Sequence, residues 1–418
     1  MRSPPAEAAN LSRDHRILLG LLSGATLFEG FDTALAGMVL PYLGDEFGAG
    51  PARLGRVLSI VSLGTVPAFF AIRLADRFGR RPMLLISLGG YALLTLATAF
   101  SASLGQFQTL QFGARLLMVT QLALAYVILG EELPAARRGR ANGLLSAFAN
   151  VGAVAPALFL PLFERSRLGW RGLFGLGAAP LLLWPLIWWR VREPPLFVRS
   201  AARGTRRRLL SELLRLWQPR HRTRFLAMTS IWFALNFWAA STGFFFTYYV
   251  FNERGWTADS LRILMPLALP FGFLGHVLAG WMMDRVGRRG AAASFVLVGA
   301  AAAIACYQAT SDWVVGGCWI ALQMLQGVWS IAHTLTVELF STELRASASG
   351  LTHNLLGRWG MVLAPAAVGA LAARLGSTSE AVSILAVTNL IALPALIWVI
   401  PETRGIPLGE SSDAPRPD

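Results

Sequence analysis

Lysine is absent from this chain of 418 residues, so all 37 basic side chains are arginine. That excludes Schiff-base chemistry, which needs a primary amine able to lose its proton. Cysteine is nearly absent. Cys306 and Cys318 alone allow neither a disulfide framework nor a thiolate metal cage. They flank one short turn, where a bridge is conceivable and two small apolar side chains are the expected state. Charge is scarce, at 14% against about 25% for a soluble chain. His276, His333 and His353 lie on three different apolar stretches, too scattered in sequence to read as a cluster. With no nucleophile motif, nucleotide loop or metal-ligand spacing, the expectation is a protein that is not an enzyme and carries no cofactor or metal.

What the chain does have is apolar length. Hydrophobic residues make up 55% of it, and about 20 in a row cross a bilayer as helix. Twelve stretches fit, numbered here as spans 1 to 12: roughly 17–43, 54–75, 82–100, 106–130, 142–163, 170–190, 224–251, 261–283, 290–309, 313–337, 349–373 and 381–400. The first sixteen residues are polar and the run after them is too long for a cleavable signal peptide. The predicted fold class is an all-α polytopic membrane protein, with twelve helices in two pseudo-symmetric six-helix bundles. The first bundle covers 1–190, a basic connector 191–223, the second bundle 224–403, and a tail 404–418.

A net charge of +14 raises the question of nucleic acid, and its placement answers it. With the N-terminus inside, about 27 arginines fall on the cytoplasmic side, about 8 outside and 2 within the membrane, the positive-inside distribution. Both termini are then cytoplasmic, in a bacterial inner membrane, and nucleic acid is not an expected partner. The densest cluster runs from Arg192 to Arg224, with Glu193 and Glu212 inside it. It is expected to lie on anionic lipid headgroups. Nothing in the sequence calls for a second copy, so a monomer is expected.

The chain also repeats itself. Asp76-Arg77-Phe78-Gly79-Arg80-Arg81 returns as Asp284-Arg285-Val286-Gly287-Arg288-Arg289. Glu131 to Arg138 returns as Glu338 to Arg345, at nearly the same offset. Two signatures in register mean two homologous halves. A glycine in such a short loop permits backbone angles other residues resist. Asp76 and Asp284 are expected to accept hydrogen bonds from a neighbouring helix N-terminus or to pair with an arginine across the bundle. With Glu131, Arg138, Glu338 and Arg345 they predict an inner charge network in each half, closed when the inside is shut and broken when it opens.

These residues carry a resemblance. Asp76 to Arg81, Asp284 to Arg289, Glu131-x-x-Pro134-x-x-x-Arg138-Gly139 and Pro401-Glu402-Thr403-Arg404-Gly405 resemble the signatures of the major facilitator superfamily, the last best known from sugar porters. The resemblance spans essentially the whole chain and implies twelve helices, two halves and alternating access.

Ionisable groups inside the apolar runs need a reason, because each costs several kcal/mol at mid-membrane. Span 1 holds Glu29 and Asp32, three residues apart and so on one helix face. Two carboxylates this close in low dielectric do not both stay ionised, and the pair can load and release a proton. Span 4 holds Arg115, expected to pair with those acids, with substrate, or with each in turn. Span 11 holds Arg358, a second fixed cation in the other half. Gln121, Asn150, Asn236, Gln323 and Gln326 are further candidates to line a cavity, and Trp232, Phe237 and Trp238 to stack on a ring. Glu29-Gly30-Phe31-Asp32-Thr33 and Gly357-Arg358-Trp359-Gly360 resemble segments of the aromatic-acid/proton symporters, and Arg115 resembles an arginine implicated in proton coupling. The resemblance implies a secondary transporter moving a small organic anion with protons. A drug or metabolite exporter and a sugar porter are the alternatives within transport. A membrane sensor that has lost transport is the alternative outside it.

Overall fold

A computed structural model describes residues 12–194, 209–341 and 343–406, and every regular element in them is helical. Eleven helices are long and apolar enough to cross a membrane. The twelfth, Pro219–Phe244, mixes Thr229, Ser230, Asn236, Ser241 and Thr242 into its apolar run, which lowers its hydropathy below that of the others. Span 1 is Arg13–Met38, continued by Leu40–Phe47. Span 2 is Pro51–Leu63 and Thr65–Phe78, then come span 3 (Arg80–Thr98), span 4 (Leu104–Glu132), span 5 (Ala135–Glu164) and span 6 (Trp170–Gly177 with Pro180–Arg190). Span 7 is Pro219–Phe244 with Phe246–Asn252, followed by span 8 (Ala258–Arg285), span 9 (Arg288–Gln308) and span 10 (Asp312–Leu325 with Val328–Leu339). Span 11 runs from Arg345 to Leu375 through a π-helical stretch, Gly350–Gly357, and span 12 from Thr378 to Trp398.

Side-chain caps fix several starts. Ser12, Ser103 and Ser377 accept the amides of His15, Gln106 and Glu380 at 3.1, 3.2 and 3.2 Å, supplying partners that a helix N-terminus lacks. The two signature loops turn at Gly79 (φ 107°) and Gly287 (φ 95°), angles that a side chain would strain. Cys306 and Cys318 are free thiols. The buried Cys306 sulfur lies 3.7 Å from the Val315 carbonyl, which takes its weak S–H donor.

Packing divides the chain into two compact units: Met1–Val39 with Ile60–Arg206, and Leu40–Ser59 with Arg207–Asp418. In the first unit, spans 1 and 5 pack at Gly30 and Gly152. A Cβ at Gly30 would overlap the Ala149 carbonyl, and one at Gly152 the Leu27 carbonyl. The second unit repeats the device between spans 7 and 11. A Cβ at Gly360 would overlap the Phe233 carbonyl, and one at Gly357 would meet Trp232 at 2.6 Å. The glycines of Gly357-Arg358-Trp359-Gly360 are therefore packing residues that let span 11 press on span 7. The segment 40–59 sits in the second unit by the edge contact of Tyr42 with Phe251 at 6.0 Å and by the Ala366 amide donating to Ser59 at 2.9 Å.

Of the expected basic connector, 195–208 lies outside the described residues, as does the tail beyond 406. Downstream of it, Leu209–Leu216 is a short helix whose Arg215 reaches Glu343 at 3.9 Å.

Candidate functional site

The residues singled out in the sequence fall into three groups inside the two units. The first is in the first unit. Glu29 and Asp32 are both buried, at 8% and 4% exposure, and Arg115 is buried with them at 5%. Thr33 links the groups: its hydroxyl donates to Glu29 Oε1 at 3.2 Å and accepts from Arg115 Nη1 at 3.2 Å. Asp32 Oδ2 accepts from Thr95 of span 3 at 2.8 Å. Asp32 Oδ1 packs against Gly177 of span 6 and has no hydrogen-bond partner. The two acids thus have different hydrogen-bond partners, Thr33 for Glu29 and Thr95 for Asp32. They remain one electrostatic set, since Asp32 feels the charges of both Glu29 and Arg115. Gln121, further along span 4, is fully buried with both amide atoms unpartnered, while Asn150 is exposed on span 5.

The second group is in the second unit, and it corrects the reading of the histidines. His333 and His353 are not scattered: their ring centroids are 5.3 Å apart. His353 stacks on Trp232 at 3.9 Å with 21° between planes, and Trp329 stands 5.5 Å from Trp232. Trp232 is held by its Nε1 donating to Thr336 at 3.1 Å. Nothing in sequence spacing joins these rings, because they come from spans 7, 10 and 11. His276 lies apart from them, on a 2.8 Å hydrogen bond with Ser330. Arg358 follows the π-helical stretch and approaches Met361 Sδ at 3.8 Å. Gln326 accepts from Trp329 Nε1 at 2.6 Å, and Gln323 is half-buried one turn earlier. Asn236 is buried, donates to the Trp232 carbonyl at 2.7 Å, and leaves Oδ1 unpartnered. Trp238 donates to the Gly299 carbonyl at 3.2 Å and packs against span 9 at 1% exposure. Phe237 packs with Phe233 and Ala364.

The third group is the pair of charge networks at the signature loops, each inside its own unit. Arg80 bonds Asp76 at 2.9 Å and Glu131 at 3.1 Å. Arg288 repeats this with Asp284 at 3.6 Å and Glu338 at 3.2 Å. The expected role of Asp76 changes. It pairs with the arginine four residues on, and the acid that receives a helix N-terminus is Glu193. Glu193 accepts the amides of Arg80 and Arg81, the latter at 3.1 Å. Glu402 accepts those of Arg288 and Arg289 at 2.9 and 3.1 Å. The sequence reading names both acids, Glu193 in the basic cluster and Glu402 in the Pro401–Gly405 signature, and gives neither this role. Glu193-Pro194 and Glu402-Thr403 stand at nearly the offset of the other repeats, and that third pair was the available signal. Thr403 also donates to Glu338. Arg81 and Arg289 reach carbonyls at the ends of spans 6 and 12, those of Trp188 and Ile397. Arg138 and Arg345 donate to the Leu133 and Val337 carbonyls at 2.9 and 2.8 Å. Arg77 and Arg285 lie over the rings of Phe78 and Trp281. The residues described contain no group of three or more His, Cys, Asp or Glu side chains able to hold a metal ion.

The chain is similar to known proteins in sequence and in fold. The sequence pattern of the Major Facilitator Superfamily matches residues 22–365. The niacin transporter NiaP of Acinetobacter baylyi is 27% identical over 401 residues, covering 86% of this chain and 87% of that protein. The gallate transporter of Pseudomonas putida is 26% identical, covering 83% of each. In fold, the chain matches the xylose transporter XylE from E. coli with a TM-score of 0.75 at 17% identity, over 96% of this chain and 99% of that one.

Proposed function

The chain belongs to the Major Facilitator Superfamily, a family of membrane transporters and not of enzymes, and on that premise we propose that it moves a small organic anion together with protons across a bacterial inner membrane by alternating access. The anion is an aromatic or other carboxylic acid, imported by a monomer with both termini in the cytoplasm and its basic face on lipid headgroups. The observation that carries the proposal is the buried set Glu29–Thr33–Arg115 beside Asp32–Thr95. Charged groups inside a membrane protein mark ion and proton routes, because burial makes them too costly to keep otherwise. Arg115 keeps its charge, so the proton is carried by the acids. When the acids are neutralised, the Arg115 guanidinium is released and adds its positive charge to that of Arg358 in drawing the anion. Arg358 supplies a fixed cation in the second unit. The names of the relatives support the anion: niacin and gallate are both ring compounds bearing a carboxylate.

Uptake into proteoliposomes tests this. Aromatic acids, sugars and cationic drugs are offered with and without an inward proton gradient. Accumulation of an aromatic acid only with the gradient is expected. Gradient-driven uptake of sugars, or expulsion of drugs, with no response to acids would overturn it.

A further inference from the structure

The ring cluster of the second unit has no part in proton coupling as described above. Its construction points to a ligand. Arg358 lies five positions after His353, and on an α-helix that spacing puts side chains about 140° apart. Here the Arg358 amide bonds the His353 carbonyl at 3.1 Å, closing a π-helical turn that brings the two side chains to nearly one face. The Arg358 charge acts on both His333 and His353. His333 is exposed and Trp329 half-buried, so the cluster has an open side. Behind them Trp232 is fully buried, locked by Thr336 and backed by the 3.9 Å stack with His353. His353 is 8% exposed, and its Nε2 has no hydrogen-bond partner. A buried polar atom left without a partner is costly, and a ligand atom can satisfy it.

We propose that Trp232, Trp329, His333 and His353 form a ring-recognition subsite that selects a planar aromatic monocarboxylate bearing a hydrogen-bonding atom on its ring. Arg358 takes the carboxylate, His333 and Trp329 present ring faces and edges to the substrate ring, and Trp232 holds His353 in place. His353 Nε2 reads the ring atom, as donor or acceptor according to its tautomer. This rests on the reading of the chain as a carboxylate transporter and adds the residues that choose the ring.

Three probes of equal charge test it in proteoliposomes: pyridine-3-carboxylate, benzoate and cyclohexanecarboxylate. The native protein is expected to show a KM roughly tenfold lower for benzoate than for cyclohexanecarboxylate, the size of one stacking contact. A ring nitrogen should lower it again by about tenfold, the size of one hydrogen bond. His333→Ala and Trp329→Leu should each raise the benzoate KM until the aromatic preference falls to about twofold. His353→Phe preserves a stacked ring on Trp232 and should remove the advantage of the pyridine acid over benzoate. Transport of none of the three acids would overturn the carboxylate reading itself. Transport of all three with the aromatic preference intact in His333→Ala and Trp329→Leu would overturn the subsite alone. His333 is exposed, so its replacement decides the matter even if His353→Phe does not fold.

Discussion

In the proposed mechanism Asp32 is the residue that carries the proton. Its Oδ2 takes the Thr95 hydroxyl at 2.8 Å, and its Oδ1 lies unpartnered against Gly177. Asp32→Asn keeps the shape and the bond from Thr95 while fixing the side chain in its neutral form. Proton-driven accumulation should collapse to simple equilibration, with exchange of internal for external substrate retained. An accumulation ratio still set by the pH gradient in this variant would show that Asp32 does not carry the proton, and Glu29→Gln would be tested next. Arg115→Ala should lose both accumulation and exchange, because Glu29 and Thr33 would keep a buried negative site with its cation removed. These groups were legible in the sequence because an ionisable residue stands out in an apolar run. Their partners on other helices were not. Spacing on one helix shows Thr33 within reach of Glu29, but not that Asp32 finds Thr95 on span 3 or that Thr33 takes Arg115 of span 4. The ring cluster was less legible still. Tryptophan and histidine have many reasons to occur in a membrane helix, and the proximity of Trp232, His333 and His353 exists only in three dimensions.

The helices owe their packing to a few glycines and their turns to a few acids. Gly30→Ala would drive a methyl group into the Ala149 carbonyl, so spans 1 and 5 must separate. Overpacking of that kind costs about 1–3 kcal/mol, and a lower midpoint of thermal unfolding in detergent is expected. Gly143→Ala is the control. Nothing lies within 4 Å of its added methyl, and alanine favours helix by about 0.5–1 kcal/mol, so the midpoint should hold or rise. Equal melting of the two variants would deny the close approach of spans 1 and 5. At the signature loops, Glu402→Gln keeps one acceptor oxygen and loses the charge that draws four backbone amides, those of Arg288, Arg289, Thr403 and Arg404. A loss of about 1–3 kcal/mol is expected, read as a lower unfolding midpoint. Glu193→Gln should act alike, since Glu193 holds the start of span 3 as Glu402 holds that of span 9. A Glu402→Gln protein as stable as the native one would mean that the arginine side chains alone hold the turn.

The whole molecule was the most legible level, because length, hydropathy and internal repetition all act over many residues and average out local exceptions. The exception that survives is span 7, whose polar residues lower its apolar signal. Topology therefore depends on whether span 7 crosses. If it does, the loop before it and the loop after it lie on opposite sides of the membrane. The arginines decide which side is which. Arg215, Arg220, Arg222 and Arg224 crowd the entry to span 7, and its exit carries Arg254 beside Glu253. Basic residues near a span end hold that end in the cytoplasm. A reporter active only in the cytoplasm and fused after Trp217 should give signal, and the same reporter after Gly255 should be silent. A reporter active only outside should give the reverse. Equal signal from both positions would mean that span 7 does not cross, leaving eleven spans and opposite sides for the two termini. Signal in the opposite order would keep twelve spans and put the arginine-rich loops outside, which would overturn the cytoplasmic assignment of both signature loops as well.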